Sequence, residues 1–194
     1  MRTVLDKLIS WTGLALAVVL LAAGGLLTWA NVFIDDQVEQ QLTMQDITMP
    51  EGGALESLAE EDREALEEYA GSRLDSGPKA KAFADHYILA HMNASSDGRS
   101  YEAVSGEYLA MSEEEKASEA GQAMAGLRES LFMGNTLRGL LLYGYAFATI
   151  GTIAGYAAIA AFVGAAVLFV LAGLGLVHAR RTRAAEQPPV AATV

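Results

Sequence analysis

Two long apolar runs bracket a middle segment in which apolar positions recur at helical spacing. Residues 8–34 and 139–177 contain no Asp, Glu, Lys or Arg. A helix crosses the hydrocarbon core of a bilayer with about 20 apolar residues, so each run is long enough to span. The first predicts a transmembrane helix over residues 9–34. It is far longer than the roughly 7–15-residue apolar region of a cleaved signal peptide. It ends Trp29-Ala30-Asn31-Val32-Phe33-Ile34, which reads as an uncleaved anchor with Trp29 and Phe33 at the outer interface. The second run would extend about 58 Å as one helix at 1.5 Å per residue, nearly twice the hydrocarbon thickness. A turn near Gly151–Gly155 would divide it into two spans, but would put Arg180, Arg181 and Arg183 outside. Basic flanks belong on the cytoplasmic side. The expected arrangement is therefore an interfacial helix over 136–150, anchored by Tyr143, Tyr145 and Phe147, followed by a span over 151–177.

The middle reads as helical. An extended stretch ends at Pro50, and Glu51-Gly52-Gly53 is a loop. Leu55, Leu58, Leu66 and Tyr69 then form an amphipathic stripe that predicts a helix over 54–73. Gly77-Pro78 interrupts it, with Pro78 suited to the first turn of the next helix. Phe83, Tyr87 and Ala90 share a face of that helix, over 79–92. Ser95-Ser96-Asp97-Gly98 predicts a turn, with Tyr101 and Val104 buried after it. Ser112-Glu113-Glu114-Glu115 has the form of a capping box, and predicts a helix to about residue 133 with Ala117, Ala120, Met124, Leu127 and Leu131 on its apolar face.

Charge orients the chain. Residues 35–138 carry 22 acidic and 8 basic side chains, while the flanks hold Arg2, Lys7, Arg180, Arg181 and Arg183 against Asp6 and Glu186. The positive-inside rule places both termini, with Lys7, Arg180, Arg181 and Arg183, in the cytoplasm, and the acidic middle outside. The Ala- and Gly-rich composition suggests a bacterial plasma membrane. The expected fold class is an all-α membrane protein, two transmembrane helices flanking a small extracytoplasmic helical domain. Its parts are a cytoplasmic N-terminus (1–8), a span (9–34), an acidic extracytoplasmic domain (35–135), an interfacial helix (136–150), a second span (151–177) and a basic, then disordered, cytoplasmic tail (178–194). The acidic domain argues against nucleic acid, which selects clustered Lys and Arg. The chain has no cysteine, so disulfides, thiolate metal sites and cysteine nucleophiles are excluded.

Little in the sequence points to a reaction. His86 and His91 stand five apart, about 140° round an α-helix, whereas helical zinc pairs use spacings of three or four. They read as structural or surface residues. Glu60-Glu61-Asp62 and Glu113-Glu114-Glu115 lack the alternating spacing of a calcium loop and read as solvated helix starts. There is no phosphate loop, nucleophile elbow or Ser/His/Asp set. Neither span carries an ionisable residue of the kind transporters and proton relays use. No catalytic residue, metal or cofactor is expected. The small residues are more informative. Gly13/Ala17 in the first run, and Gly151/Gly155, Ala158, Ala161, Gly164 and Ala165 in the second, recur at close helical spacings. Small faces let helices approach closely in lipid. They predict packing of the spans on each other, on an integral membrane partner or on a second copy.

Three stretches carry a resemblance: Gln45-Asp46-Ile47-Thr48-Met49-Pro50; Phe83-Ala84-Asp85-His86-Tyr87-Ile88 with Tyr101 beyond it; and Thr136-Leu137-Arg138-Gly139-Leu140-Leu141-Leu142 leading into Gly151-Thr152-Ile153-Ala154-Gly155. Together they resemble a family of small two-span actinobacterial membrane proteins often labelled aromatic ring-opening dioxygenases. Similar proteins are accessory subunits of respiratory supercomplexes. A non-haem iron dioxygenase needs several His and carboxylate ligands around an open site, which two histidines at this spacing do not supply. The resemblance therefore implies an interaction protein. The leading expectation is a non-enzymatic accessory or scaffold protein in contact with membrane lipid. The alternative is an extracytoplasmic ligand-sensing or binding protein, which predicts a defined apolar pocket within residues 51–133.

Overall fold

The computed structural model describes residues 2–185, with side chains from 4 to 182. The expected disorder of the tail falls on residues 186–194, outside the described residues, and the Arg183 side chain lies outside them too. Among the described residues all regular structure is helical, apart from one isolated antiparallel bridge between Thr48 and Arg73. Two helices, α1 (Arg2–Thr43) and α8 (Glu119–Ala185), are long and apolar enough to cross a membrane. The chain divides into two compact units, Met1–Phe33 with Gly151–Val194, and Ile34–Ile150.

In the first unit the two helices pack antiparallel. An added Cβ at Gly13 would lie 3.6 Å from the Ala172 Cβ, one at Gly164 3.2 Å from Leu20 Cδ1, and one at Gly24 2.9 Å from the Phe162 ring. Gly175 faces Ser10 at the same register. Large apolar side chains such as Val19, Leu26, Ile159, Val163 and Leu174 point away from the partner helix and are exposed.

The second unit gathers its core around Leu42, Met49, Leu55, Leu66, Leu74, Ala84 and Leu141. Helix α1 stops where Asp46 takes a left-handed conformation, at φ 54°. The Arg73 guanidinium donates to the Thr43 carbonyl at 2.8 Å and to Asp46 at 3.2 Å, so a cation closes the negative end of the helix. Residues 47–49 then pair with 71–74: Leu74 N–H donates to Ile47 O, and Met49 N–H to Ser72 O. This short pairing buries Met49 and Leu74.

The expected single helix over 54–73 is two short ones, α2 (Gly53–Glu56) and α3 (Glu60–Glu67), separated by Ala59 in an extended conformation. The carboxylates of Glu60, Glu61 and Asp62 occupy the first turn of α3, where the helix dipole favours them. They mark a new start. The predicted stripe still faces inward, with Leu55 and Leu66 buried and Leu58 and Tyr69 packed against the same core.

Helix α4 (Gly77–Ala82), a π-helical turn (Phe83–Ile88) and α5 (Leu89–Ser96) follow without a break. Pro78 is in the first turn of α4 as expected. An added Cβ at Gly77 would strike the Ala148 side chain, and one at Gly134 would meet Met92, so glycine permits close packing of this segment on α8. Asp97, left-handed at φ 56°, and Gly98 end α5.

Helix α6 (Tyr101–Ala110) begins at Ser100, whose hydroxyl accepts from Ala103 N–H. Val104 is fully buried. The capping box at Ser112 is present: Glu115 accepts from the Ser112 N–H at 2.7 Å, and the Ser112 hydroxyl from the Glu115 N–H at 3.2 Å. The helix it opens, α7 (Glu113–Ala117), ends at once, however, because Ser118 is extended and its hydroxyl accepts from Gly121 N–H, capping α8. Of the stripe expected for a helix to residue 133, Leu131 is buried, Met124 and Leu127 are half-buried, and Ala117 and Ala120 are exposed. Helix α8 has no break at residue 136 and no turn at Gly151–Gly155. It contains no proline, and a helix satisfies every backbone group internally across an apolar run.

Candidate functional site

Three features stand out: a helix seam of the kind the small residues predict, a π turn, and a cleft within residues 51–133, where the alternative reading expects a pocket. The first is the seam between α1 and α8. Buried positions on α8 recur every seven residues, Gly151, Ala158, Ala165, Ala172 and Ala179. On α1 the matching set is Ser10, Ala17 and Gly24, with half-buried Asn31 next in series. A seven-residue repeat belongs to left-handed helix pairs, and small residues there bring the backbones close. Asn31 Nδ2 donates to the Gly151 carbonyl at 3.0 Å, and its amide packs against Gly155, 3.3 Å from where a Cβ would be. Among the predicted packing residues, Ala17, Gly151, Ala158 and Ala165 lie on the buried line, while Gly13, Gly155, Ala161 and Gly164 flank it half-buried. A spacing of four does not include Ser10, Gly24, Asn31, Ala172 and Ala179, which the seven-residue repeat does.

The second feature is the π turn. Its extra residue lengthens the hydrogen bonding, so that Leu89 N–H donates to Ala84 O. That carbonyl also accepts from Arg138 Nε at 3.0 Å, and Arg138 Nη2 reaches Asp85 at 3.0 Å. Lys81 donates to the other Asp85 oxygen at 2.8 Å and lies 5.9 Å from the centre of the Tyr145 ring. Burial opposes ionisation of Asp85, but the hydrogen bonds from Lys81 and Arg138 outweigh it and hold the carboxyl below its ordinary range. The Asp85 hydrogen bond raises the Lys81 pKa in turn. Within the same turn, His86 Nδ1 lies 2.9 Å from Asp62 Oδ1. His91 donates through Nδ1 to the Tyr87 carbonyl at 2.8 Å and packs on the Tyr87 ring. Both histidines are thus engaged locally. Among the described residues no group of three or more His, Asp or Glu side chains comes together to hold a metal, so the donor set does not fit an iron centre of the dioxygenase type.

The third feature is a cleft of about 440 Å³ in the second unit, bounded by Tyr101, Tyr108, Ala125, Arg128, Glu129 and Phe132. Arg128 Nε donates to the buried Ser105 hydroxyl at 2.9 Å, and its guanidinium carbon lies 6.0 and 5.6 Å from the Tyr101 and Tyr108 ring centres. Tyr101, expected to be buried, is half-buried, and no local pattern signals that α6 and α8 bring two tyrosines to one arginine.

The remaining predicted residues are placed as follows. Trp29 and Phe33 stack on each other with ring centres 5.4 Å apart, and both are exposed. Tyr143 and Phe147 are exposed, whereas Tyr145 is half-buried beside Lys81. Lys7 is half-buried, and Arg180 and Arg181 are exposed. No family model, no curated protein and no solved structure matches the chain, so its function has to be read from the seam, the π turn and the cleft.

Proposed function

We propose that this chain is a non-enzymatic accessory or scaffold protein of a bacterial plasma membrane, in which α1 and α8 each span the bilayer. Both termini are cytoplasmic and residues 35–135 are extracytoplasmic. The partner is a larger membrane complex, with a respiratory assembly as the one the family resemblance implies, or a second copy of the chain. The observation that carries the reading is the α1–α8 pair. Its small residues are consumed in the seam, while the faces turned outward carry exposed Val, Leu, Ile and Phe side chains over runs without a charge. An apolar surface of that length suits lipid tails or another apolar helix. The flanking Lys7, Arg180 and Arg181 support the orientation by the positive-inside rule.

The test is purification of the tagged chain from native membranes in mild detergent, with mass spectrometry of what accompanies it. Stoichiometric recovery of a larger membrane complex, or of a defined homo-oligomer, is expected. Recovery of a monomer alone would overturn the scaffold reading. The chain lacks cysteine, so orientation is tested separately with single replacements. Ser57→Cys is expected to react with a membrane-impermeant maleimide in intact cells, and Thr182→Cys only after permeabilisation. The reverse pattern refutes the topology.

A further inference from the structure

We propose that the cleft beside Arg128 binds a small monocarboxylate with a flat apolar body. Arg73, Arg99 and Arg138 each have a carboxylate partner, with Asp46, Glu107 and Asp85 respectively, and Arg63, like Arg128, has none among the described residues, but it borders no cleft of this kind. Among the described residues no carboxylate lies within ion-pairing distance of Arg128, although residues 35–138 carry 22 acidic side chains. Its Nε is committed to Ser105, and the two tyrosine rings stand beside its guanidinium. Among the described residues its Nη groups have no hydrogen-bond acceptor, the side-chain bond being through Nε. Because among the described residues no buried side-chain nitrogen or oxygen lacks a partner, these groups are open to solvent at the cleft that Arg128 lines. The side chain is thus held at one edge and available at the other.

A guanidinium presented in this way offers two parallel N–H donors, the fork that matches a carboxylate. The walls define the rest of the ligand. The Tyr101 and Phe132 rings pack on each other, 5.8 Å between centres and tilted by 50°, and together they line the cleft as an aromatic wall that favours a flat apolar body lying against it. The volume, about 440 Å³, is within the usual range for small-molecule sites. Charge limits the ligand to a single negative charge. Glu129 also borders the cleft, and the surrounding acidic segment repels a dianion more strongly than a monoanion. Lys116, near the Tyr108 ring at 5.8 Å, is neutralised by Glu113 and adds no second anchor. A ligand here is compatible with either partner of the membrane helices.

The test uses the full chain in lipid nanodiscs, with empty nanodiscs as the blank, and benzoate as the probe in isothermal titration. Benzamide is the neutral isostere and phenyl phosphate the dianion. A ligand of benzoate's size is expected to bind with a Kd of order 1 mM, and both comparison compounds at least about tenfold more weakly. Arg128→Lys keeps the charge and removes the fork. Phe132→Ala removes a wall at a 58% exposed position. Each is expected to weaken benzoate by about tenfold or more. No saturable heat with the wild type up to about 20 mM, well past the affinity expected of such a ligand, would overturn the proposal. So would equal affinity for benzamide, or benzoate binding unchanged in both variants.

Discussion

Replacing Arg138 by Met tests whether the π turn is held by its clamp or merely accompanied by it. The substitution keeps most of the volume, but removes the donors to the Ala84 carbonyl and to Asp85. Arg138 and Asp85 are 21% and 24% exposed, too enclosed for water to replace both bonds. Hydrogen bonds to a charged group contribute about 1.5–3 kcal/mol, and removal of one partner of a buried ion pair costs about 3–5 kcal/mol. Two features reduce the loss here. Lys81 remains on Asp85, and Ala84 O keeps its bond from Leu89 N–H. The expected cost is therefore about 2 kcal/mol. In the unit Ile34–Ile150 that corresponds to a fall in unfolding midpoint of about 8 °C, at about 4 °C per kcal/mol for a domain of this size. The assay is thermal unfolding of the full chain in mild detergent, followed by far-UV circular dichroism. Asp85→Asn and the double variant complete a cycle, whose coupling energy is expected to be about 1–2 kcal/mol. A coupling within about 0.3 kcal/mol of zero, the additivity found between independent sites, would refute the clamp even if each single variant were destabilised.

The remaining predictions concern the same elements. Since the folded pKa of Asp85 lies below its ordinary value of 3.8, its stabilisation is complete well above that value and is lost as the pH falls through the lower, folded one. The stability difference between wild type and Asp85→Asn is thus expected to stay constant down to about pH 5 and to shrink below pH 3.8, as measured by denaturant titration at fixed salt. Paired Gly13→Cys and Ala172→Cys replacements, at 3.6 Å between Cβ positions, match disulfide geometry. They are expected to cross-link within one chain under mild oxidant, whereas Gly25→Cys with Ala172→Cys is not; the read-out is a mobility shift reversed by reductant. Ala165→Leu forces a large side chain into a fully buried seam position. It is expected to cost about 1–3 kcal/mol by overpacking, measured by unfolding in mixed detergent micelles, while Val167→Leu on the outward face has no such effect. Leu66→Ala, at a residue with no exposed surface, is expected to cost about 2–5 kcal/mol.

Much of the helical content was legible because it follows from residue type and period. Long uncharged runs, the Gly77-Pro78 start and the Ser112–Glu115 capping box depend on near neighbours, and each has its expected local form. The boundaries were less legible, because they turn on competition between alternatives of similar energy. Leu55, Leu58, Leu66 and Tyr69 fit one long helix as well as two short ones. The carboxylates at residues 60–62 decide for two, because they are better placed at a helix start than along its middle. Ser118 decides likewise at the next junction, since its hydroxyl caps α8 instead of lying inside a longer helix. The seam was partly legible. Its small residue types are evident in the sequence, but a spacing of four marks only part of the line that the seven-residue repeat completes. Nothing local signals the clamp or the cleft, since Arg138 meets Asp85 across 53 residues and Arg128 meets Ser105 across 23.

The π turn over Phe83–Ile88 is equivalent to one residue inserted into an α-helix. Each residue turns an α-helix by about 100°, so α4 and α5 face directions that an unbroken helix of the same composition would not reach together. Register, and not only side-chain identity, therefore keeps Gly77 against Ala148 while Met92 packs on Gly134. Deleting a single residue between 83 and 88 would restore regular hydrogen bonding, yet rotate Met92 off its glycine and carry the Ala84 carbonyl out of line with Arg138. In this segment the length of the chain is itself part of the code, and an improvement in local regularity would be a loss of tertiary fit.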